Sequence, residues 1–489
     1  MTTSARATPL ETSDVDLDAF LPATRFQPTL AFSPAATELL FSSNRSGQFN
    51  VWAASLAGGS LRQITAFERE CVRSISIAPD GSEIVVTADV GGDERHKIYL
   101  VTSDGKTEQW ESEERVQHFL DPGGWSPDGE KIAYAANARS PADMEVWIRD
   151  RASGDVRHVF GEGMFAWPVS WSPDGRYLLV QRFMIHTDSS PYLVELETGK
   201  TEELTPHQEE ANFRAGPWSH DGSGFYFLTN EGREYLGLAF YRIQERHYEW
   251  VETPDSDIDD LASSGDRRFL AWITNERGWS RLHVRDLVRN EDLPQATLPR
   301  GSLERYTTAL TLSHDGRSAA VLWSQPTRPT EVFVVDTTSG RARRLTESAP
   351  AGVAEGTLVV PEEIEYESFD GRVVPAFLYR PVAEKRMPVV LSIHGGPDFQ
   401  DRPWYQPLYQ YLVGRGIAVL APNYRGSTGY GRSYQRLIQH DWGGAELQDL
   451  IHAAEWLRSQ GWADPHRIGV FGISFGGFAT LSCIARYPE

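Results

Sequence analysis

A short turn sequence recurs through the first 350 residues and limits the folds that the chain can adopt. Five copies read Pro-Asp-Gly or His-Asp-Gly, and degenerate copies occur at Pro34 and at Ser264-Gly265-Asp266. Measured at the proline position, the copies fall at positions 34, 79, 127, 173, 220, 264 and 314, so the successive gaps are 45, 48, 46, 47, 44 and 50 residues. Such regular spacing indicates an internal structural repeat.

Each copy has the chemistry of a turn that starts a new strand. Proline presets φ, aspartate accepts hydrogen bonds from the following backbone, and glycine adopts a positive φ at little cost. Apolar runs such as Tyr177–Val180 and Ala319–Leu322 follow the turns, and second runs such as Glu145–Ile148 follow those. The period lies slightly above the roughly 40–45 residues of a four-stranded propeller blade. The sequence therefore predicts a seven-bladed β-propeller over residues 22–355, after an N-terminal extension of residues 1–21.

Tryptophan also recurs at blade spacing, at Trp125, Trp171 and Trp218, just before three of the turns. Large aromatic residues at such positions are typical of a core between blades, so we expect these three to be buried there rather than to form a ligand cage. The sequence has no Trp-Asp dipeptide and thus lacks the signature of WD40 repeats.

Near Pro361 the pattern changes from repeated strands to strands that alternate with helices. Buried strands are predicted at Val389–Ile393, at Ile417–Leu420 and at Arg467–Phe471. A helix between the last two has one apolar face, made of Leu447, Leu450, Ile451, Ala454 and Leu457. This alternation predicts an α/β-hydrolase domain over residues 361–489, incomplete at its C-terminus.

The third predicted strand leads directly into Gly472-Ile473-Ser474-Phe475-Gly476, which matches G-x-S-x-G between a strand and a helix. In that context Ser474 is predicted to be a catalytic nucleophile. His394-Gly395-Gly396-Pro397 follows the first buried strand and matches a loop that supplies an oxyanion hole. The backbone N–H groups of Gly396 and Phe475 are the expected donors. The His394 side chain is expected to position this loop rather than to catalyse.

These motifs, together with the segment Asn423–Gly431, resemble the catalytic domain of the prolyl oligopeptidase family of serine peptidases. The acylaminoacyl-peptidase and dipeptidyl-peptidase-like branch is the most similar. The resemblance implies that the propeller gates a hydrolase that cleaves short peptides through an acyl-enzyme on Ser474. It also places His394, Gly395 and Tyr424 in active-site loops, and it implies no cofactor and no metal.

The chain departs from the family after the nucleophile. The triad order of α/β-hydrolases is Ser, acid, His, yet the 15 residues after Ser474 contain neither histidine nor aspartate. The upstream residues His394, His440 and His452 could act as the base only if that order were abandoned. The chain is therefore expected to be an inactive fragment of a longer enzyme, with a degenerate pseudoenzyme as the alternative.

The composition excludes several classes of partner. A formal net charge of −21 disfavours nucleic acid and anionic membranes, because both would be repelled. Only Cys71 and Cys483 are present, so no disulfide framework is expected. A cytoplasmic protein fits these features and the polar N-terminus. The composition is compatible with a monomer and with a homo-oligomer.

Two acidic motifs are interpreted as surface features. Glu209-Glu210 is similar to the glutamate pair with which dipeptidyl peptidases bind a substrate amine, but its place between blades predicts a solvated loop. The run Asp255–Asp260 lacks the glycine and distal glutamate of a calcium loop, and so predicts an acidic surface turn.

Two other functions stay open. A propeller that acts as a protein-interaction module would share the repeats, but it would not need an oxyanion loop and a nucleophile turn. A carboxylesterase would share the chemistry and differ in its substrate.

Overall fold

The computed structural model describes residues 15–102, 105–110, 115–120, 122–161, 163–304, 309–350, 352–353, 356–382 and 385–488. These residues form seven antiparallel sheets followed by one mixed sheet. The seven-bladed propeller predicted from the repeat is confirmed. No helix in the described ranges is both long and apolar enough to cross a bilayer.

The first three blades contain four strands each. Blade 1 consists of β1 (Phe26–Phe32), β2 (Glu38–Ser43), β3 (Asn50–Ser55) and β4 (Arg62–Gln63). Blade 2 consists of β5 (Glu70–Ile77), β6 (Glu83–Val90), β7 (Lys97–Thr102) and β8 (Thr107–Gln109). Blade 3 consists of β9 (His118–Phe119), β10 (Lys131–Ala136), β11 (Glu145–Asp150) and β12 (Val156–Phe160), with a 3₁₀ turn at Pro122–Gly124.

Blades 4 to 6 follow the same four-stranded plan, and blade 7 has one strand more. Blade 4 consists of β13 (Phe165–Trp171), β14 (Tyr177–Ile185), β15 (Asp188–Glu195) and β16 (Thr201–Glu203). Blade 5 consists of β17 (Phe213–Trp218), β18 (Gly224–Thr229), β19 (Gly237–Arg242) and β20 (His247–Glu252). Blade 6 consists of β21 (Asp257–Ser263), β22 (Phe269–Glu276), β23 (Trp279–Asp286) and β24 (Glu291–Asp292). Blade 7 has five strands, β25 (Ser302–Leu303), β26 (Leu310–Leu312), β27 (Ser318–Gln325), β28 (Arg328–Asp336) and β29 (Arg341–Arg344).

The repeated turn joins the first two strands of a blade, and in five blades a serine at the start of the turn completes it. In blade 3 the Ser126 hydroxyl donates to the Asp128 carboxylate at 2.6 Å and accepts from the Lys131 N–H at 2.9 Å. Gly129 supplies the positive φ, 72°. The same serine–aspartate hydrogen bond recurs at Ser172, Ser219, Ser264 and Ser313, so that Gly265 and not Ser264 corresponds to the prolines of the other copies. In these five blades the turn is therefore a closed local unit.

Neighbouring turns also pack on one another. A Cβ added at Gly129 would lie 3.5 Å from the Pro79 ring of the preceding copy, and one added at Gly222 would lie 3.5 Å from Pro173. Between the blades, Trp171 donates its indole N–H to the Gly124 carbonyl at 2.9 Å. Trp125, Trp171 and Trp218 are all buried, as expected for an inter-blade core.

The second domain is built on a five-stranded sheet. Its strands are β30 (Glu362–Glu367), β31 (Val373–Tyr379), β32 (Met387–Ile393), β33 (Ala418–Pro422) and β34 (Ala463–Gly472), in the order β30-β31-β33-β32-β34. Strands β33, β32 and β34 are parallel, and the first two pairings are antiparallel. Its helices are α1 (Pro407–Gly414), α2 (Arg432–Arg436), α3 (Ala445–Ser459) and α4 (Phe475–Arg486).

The face that α3 buries differs in part from the expected one. Leu447, Leu450 and Leu457 are buried as predicted, but Ile451 and Ala454 are only half-buried, and Ala453 lies in the core instead. Glu446 and Asp449 share the buried face because they accept hydrogen bonds from the neighbouring loops. Polar contacts therefore rotate the buried face away from the purely apolar stripe.

The sheet edge at β34 is apolar and accessible. Within the described chain β34 pairs only with β32, and α4 packs on one side of it. Ile473, Leu481 and Ile484 have exposed fractions of 69%, 70% and 55%. Such an exposed apolar edge and helix face is unusual in a soluble fold.

Candidate active site

Ser474 lies at the sharp turn between β34 and α4, where the sequence places it. Its φ is 58° and its ψ is −125°, a strained conformation for a residue that is not glycine. The flanking glycines are required by close approach. A Cβ at Gly472 would lie 2.3 Å from the Gly476 carbonyl oxygen, and a Cβ at Gly476 would lie 2.1 Å from that of Ile393. The turn therefore presents the hydroxyl at the carboxyl end of the parallel strands.

The glycine-rich loop after β32 lies directly against this turn. A Cβ added at Gly395 would lie 3.3 Å from the Cβ of Ser474 and 3.9 Å from its Oγ. Gly396 has a φ of 119°, which only glycine adopts readily. The loop and the N-terminus of α4 thus lie on the two sides of Ser474, where the N–H groups of Gly396 and Phe475 are predicted to form the oxyanion hole.

The His394 side chain is engaged in holding this loop. Its Nε2 lies 2.9 Å from the Ser427 hydroxyl, which itself donates to the Tyr424 carbonyl at 2.7 Å, so Nε2–H is the donor to Ser427. The Tyr424 hydroxyl donates to the His394 carbonyl at 2.9 Å, and the two rings stack with centroids 4.4 Å apart. These contacts support a positioning role for His394. Ser427 was not singled out from the sequence, although it lies within the glycine-rich segment.

Tyr424 is fully buried beneath the loop. Its ring also lies 6.1 Å from that of Phe475, which follows the nucleophile. Burial raises the pKa of the Tyr424 hydroxyl far above its ordinary value, so it stays protonated and keeps its hydrogen bond to His394. The tyrosine therefore connects the glycine-rich loop to the first turn of α4.

A buried ion-pair network fixes the next residue of the same segment. Arg425 donates to Asp449 through Nε at 2.9 Å and Nη2 at 2.7 Å, and to Asp370 through both Nη atoms at 3.1 Å. The Ser368 hydroxyl donates to Asp449 as well, at 2.6 Å. The hydrogen bonds from Arg425 hold the pKa of Asp370 below its ordinary value. The network joins the β30–β31 hairpin, the active-site segment and α3.

The described residues place no base on the nucleophile. Within them the Ser474 hydroxyl makes no hydrogen bond, and His394 is turned to Ser427. His452 lies on α3, where its Nδ1 is 3.0 Å from the Gln448 carbonyl. The geometry is consistent with a base that follows Ser474 in sequence.

The interpretation of Asp255–Asp260 as a surface turn is wrong. Asp257 to Asp260 lie on β21, and Asp259 forms a bidentate ion pair with Arg402 of the second domain at 2.6 and 3.1 Å. Burial raises the pKa of Asp257 to about 6 and that of Asp260 to about 7. Arg402 is 143 residues away from Asp259 in sequence, so no local pattern indicates this ion pair.

The interpretation of Glu209-Glu210 as a solvated loop is correct for only one of the two residues. The Glu209 side chain is 90% exposed, although it lies 3.7 Å from Arg432. Glu210 accepts from Thr187 at 3.1 Å and pairs with Arg436 of α2 at 3.3 Å. Its carboxylate is therefore engaged at the junction of the two domains.

That junction includes a helix cap supplied by the propeller. Glu234, in the β18–β19 connection of blade 5, accepts the N–H of Ser433 at 2.9 Å through its side chain and the N–H of Arg432 at 2.7 Å through its carbonyl. Further contacts join Asn275 to Gln400 and Trp404 to the Leu303 carbonyl. Blades 4 to 7 thus contribute to holding the second domain.

Comparison with known proteins identifies a family and several relatives that this chain resembles. Residues 403–489 match the family described as the prolyl oligopeptidase family. The chain is 28% identical over 470 residues to the uncharacterized peptidase YuxL of Bacillus subtilis, covering 92% of this chain and 69% of that protein. It is 25% identical over 461 residues to dipeptidyl aminopeptidase BIII of Pseudoxanthomonas mexicana, covering 91% of this chain and 66% of that protein. The chain thus spans about two thirds of the length of these relatives.

A solved structure shows the same fold. The puromycin-hydrolyzing peptidase of Mycobacterium tuberculosis superposes with a TM-score of 0.80 at 20% identity, covering 99% of this chain and 78% of that one. Both the propeller and the second domain therefore have counterparts in a known architecture.

Proposed function

We propose that this chain, a member of the prolyl oligopeptidase family of serine peptidases, carries the propeller and the nucleophile of an enzyme that hydrolyses short peptides through an acyl-enzyme on Ser474. The observation that carries the proposal is the strained turn at Ser474, with Gly395 packed against its side chain. A purely structural turn has no need of a serine at positive φ in this place.

The chemistry follows from the position of the hydroxyl. The Ser474 Oγ attacks the carbonyl carbon of the peptide bond, and the carbonyl π electrons move to the oxygen as the C–O bond forms. The N–H groups of Gly396 and Phe475 stabilise that oxyanion. A histidine takes the serine proton and gives it to the leaving amine as the C–N bond breaks. Water then releases the acyl group by the same route.

The base and the acid that orients it are not among the described contacts of Ser474. In the order of the fold both follow the nucleophile, so we propose that sequence beyond residue 489 supplies them. What this chain contributes is the nucleophile turn, the oxyanion loop and the contacts of His394, Tyr424 and Ser427 that hold that loop.

The test compares two lengths of the protein. The 489-residue chain and a version extended through the acid and the base are assayed with an acylated and an unblocked chromogenic peptide, each with and without Ser474→Ala. The extended protein should cleave at least one peptide and lose that activity on substitution. The shorter chain should show no more than residual catalysis. When triad members are missing, the rate acceleration over the uncatalysed reaction in water falls to about 10³–10⁴-fold.

Two results would contradict the proposal. Robust Ser474-dependent turnover by the 489-residue chain would mean that an upstream histidine, His394 or His440, is the base. Cleavage of a matched ester but of neither peptide by the extended protein would indicate a carboxylesterase.

A further inference from the structure

A partly exposed aromatic cluster lies on the inner strands of blade 4. Phe165 and Trp167 lie two residues apart on β13, and Phe183 is the cross-strand partner of Phe165 on β14. The Trp167 ring lies 5.7 Å from that of Phe165 and 4.2 Å from that of Phe183. Phe165 is 44% exposed, and the adjoining Ile185 is 48% exposed. We call these four residues the aromatic patch.

Blade packing does not account for the patch. The opposite side of β13, with Ala166 and Pro168, is the one that is buried. On the same side as the patch, Gln181 already makes the contact with blade 5, since it donates to the Phe213 carbonyl at 2.8 Å and accepts from the Ala215 N–H at 2.7 Å. Trp167 is the cross-strand partner of Gln181, and Phe165 and Phe183 lie further along the two strands, toward the β14–β15 hairpin. Clustered rings that stay partly exposed are typical of a binding surface.

The patch is continuous with the junction of the two domains. The tip of the β14–β15 hairpin lies just beyond Ile185. There the Thr187 hydroxyl accepts a hydrogen bond from the Gln439 side chain of the second domain at 3.1 Å. Three residues after Gln439, the Trp442 ring lies 5.2 Å from that of Phe475, the residue next to Ser474. The patch therefore lies on the side of the propeller that faces the nucleophile domain.

We propose that the aromatic patch binds a large apolar side chain of the peptide substrate, at a position away from the scissile bond. The inference rests on the proposed function, which makes an unfolded peptide the ligand between the two domains. Rings with exposed faces suit aromatic or branched aliphatic side chains. The net charge of −21 disfavours acidic peptides, so the ligand is a neutral or basic peptide with at least one such side chain.

Binding to the 489-residue chain tests the patch without any need for turnover. The probes are two fluorescein-labelled nonapeptides with blocked ends, identical except that one has phenylalanine and the other serine at a single position, with that position moved along the peptide in a series. Fluorescence anisotropy gives the two affinities for the unmodified chain and for Trp167→Ala and Phe165→Ala. The matched control is Trp250→Ala, because Trp250 is 37% exposed on β20 at the outer edge of blade 5.

At one or more positions, the phenylalanine peptide should bind more tightly than the serine peptide. Trp167→Ala and Phe165→Ala should each lower the affinity for the phenylalanine peptide about tenfold, toward that for the serine peptide. A loss of this size is usual when an aromatic side chain that is buried in a complex is truncated. Trp250→Ala should change neither affinity by more than about twofold. Circular dichroism of each variant establishes that it is folded.

Three outcomes would overturn the inference. The phenylalanine peptide could keep its affinity in both patch variants, or Trp250→Ala could weaken it equally. Alternatively, size-exclusion chromatography could show that the patch variants convert a dimer to a monomer with unchanged peptide affinity, which would assign the patch to a second copy of the chain. In the extended protein the patch variants should raise KM and leave kcat unchanged. The anisotropy result decides the role of the patch even if the extended protein hydrolyses nothing.

Discussion

The propeller and the second domain differ in how far apart in sequence their paired polar groups lie, and in how completely their apolar surfaces are covered. Five blades close the turn between their first two strands with a serine–aspartate pair that is local in sequence, and neighbouring blades cover the faces of each blade. The second domain instead relies on pairs distant in sequence, such as Arg425 with Asp370, and leaves the apolar side of α4 accessible. The propeller is therefore stabilised by several equivalent local units, whereas the second domain depends on a few contacts that no other contact can replace.

The largest effect is expected from Arg425→Met. This change leaves Asp449, which is fully buried, without its cation, and breaking a buried ion pair in this way costs about 3–5 kcal/mol. Hydrogen exchange measured by mass spectrometry should show faster exchange in residues 361–488 and unchanged exchange in the seven blades.

The matched control is Arg62→Met in blade 1. Arg62 pairs with Glu38 at 2.8 Å, but its side chain is 60% exposed, so its loss should cost less than about 1 kcal/mol. Equal effects of the two substitutions, or faster exchange in the blades of the Arg425 variant, would show that the two regions are not stabilised differently.

A smaller, pH-dependent effect is expected from Asp260→Asn in blade 6. Asp260 Oδ2 is buried with no hydrogen-bond partner among the described residues, and burial raises the pKa of this carboxyl to about 7. Because the folded-state pKa lies above the unfolded one, this carboxyl favours folding below about pH 4, and that contribution is lost as the pH rises through 7. The asparagine variant should thus be more stable at pH 8 by about 1–3 kcal/mol, with a smaller difference at pH 5.

Asp259→Asn provides the contrast for that experiment. It removes the charge paired with Arg402, and should therefore destabilise the protein at pH 8. Thermal unfolding at pH 5 and pH 8 measures both variants. Two results would show that the buried carboxylate does not destabilise blade 6. Asp260→Asn could lower the stability at pH 8, or it could raise the stability at pH 5 by as much as at pH 8.

The smallest effect is expected from Ser126→Ala. It removes one hydrogen bond to Asp128 and one from Lys131, at a cost of about 1–2 kcal/mol. Because the unit is repeated, Ser172→Ala and Ser313→Ala should cost similar amounts in urea unfolding. Losses that differ by more than about 2 kcal/mol among the copies would contradict the equivalence of the blades.

The sequence predicts those features of the structure that depend on residues close together in the chain, and fails for those that depend on distant residues. The seven blades and the strand-to-helix position of Ser474 follow from patterns within one repeat or one motif. The partners of Asp259 and Glu210 could not be predicted, because Arg402 and Arg436 belong to the other domain. A run of aspartates has the same local pattern on a surface and beside a distant cation, and only the tertiary contact distinguishes the two.

Packing of the turns of blades 2 to 5 on the turns of the preceding blades also limits how the propeller can change during evolution. The glycine of one copy faces the proline of the copy before it, as at Gly129 with Pro79 and at Gly222 with Pro173. A side chain gained at such a glycine must be matched by a smaller or displaced residue one repeat earlier. Substitutions at these paired positions are therefore expected to covary, and duplication or loss of a whole repeat preserves the pairs that loss of half a repeat would break.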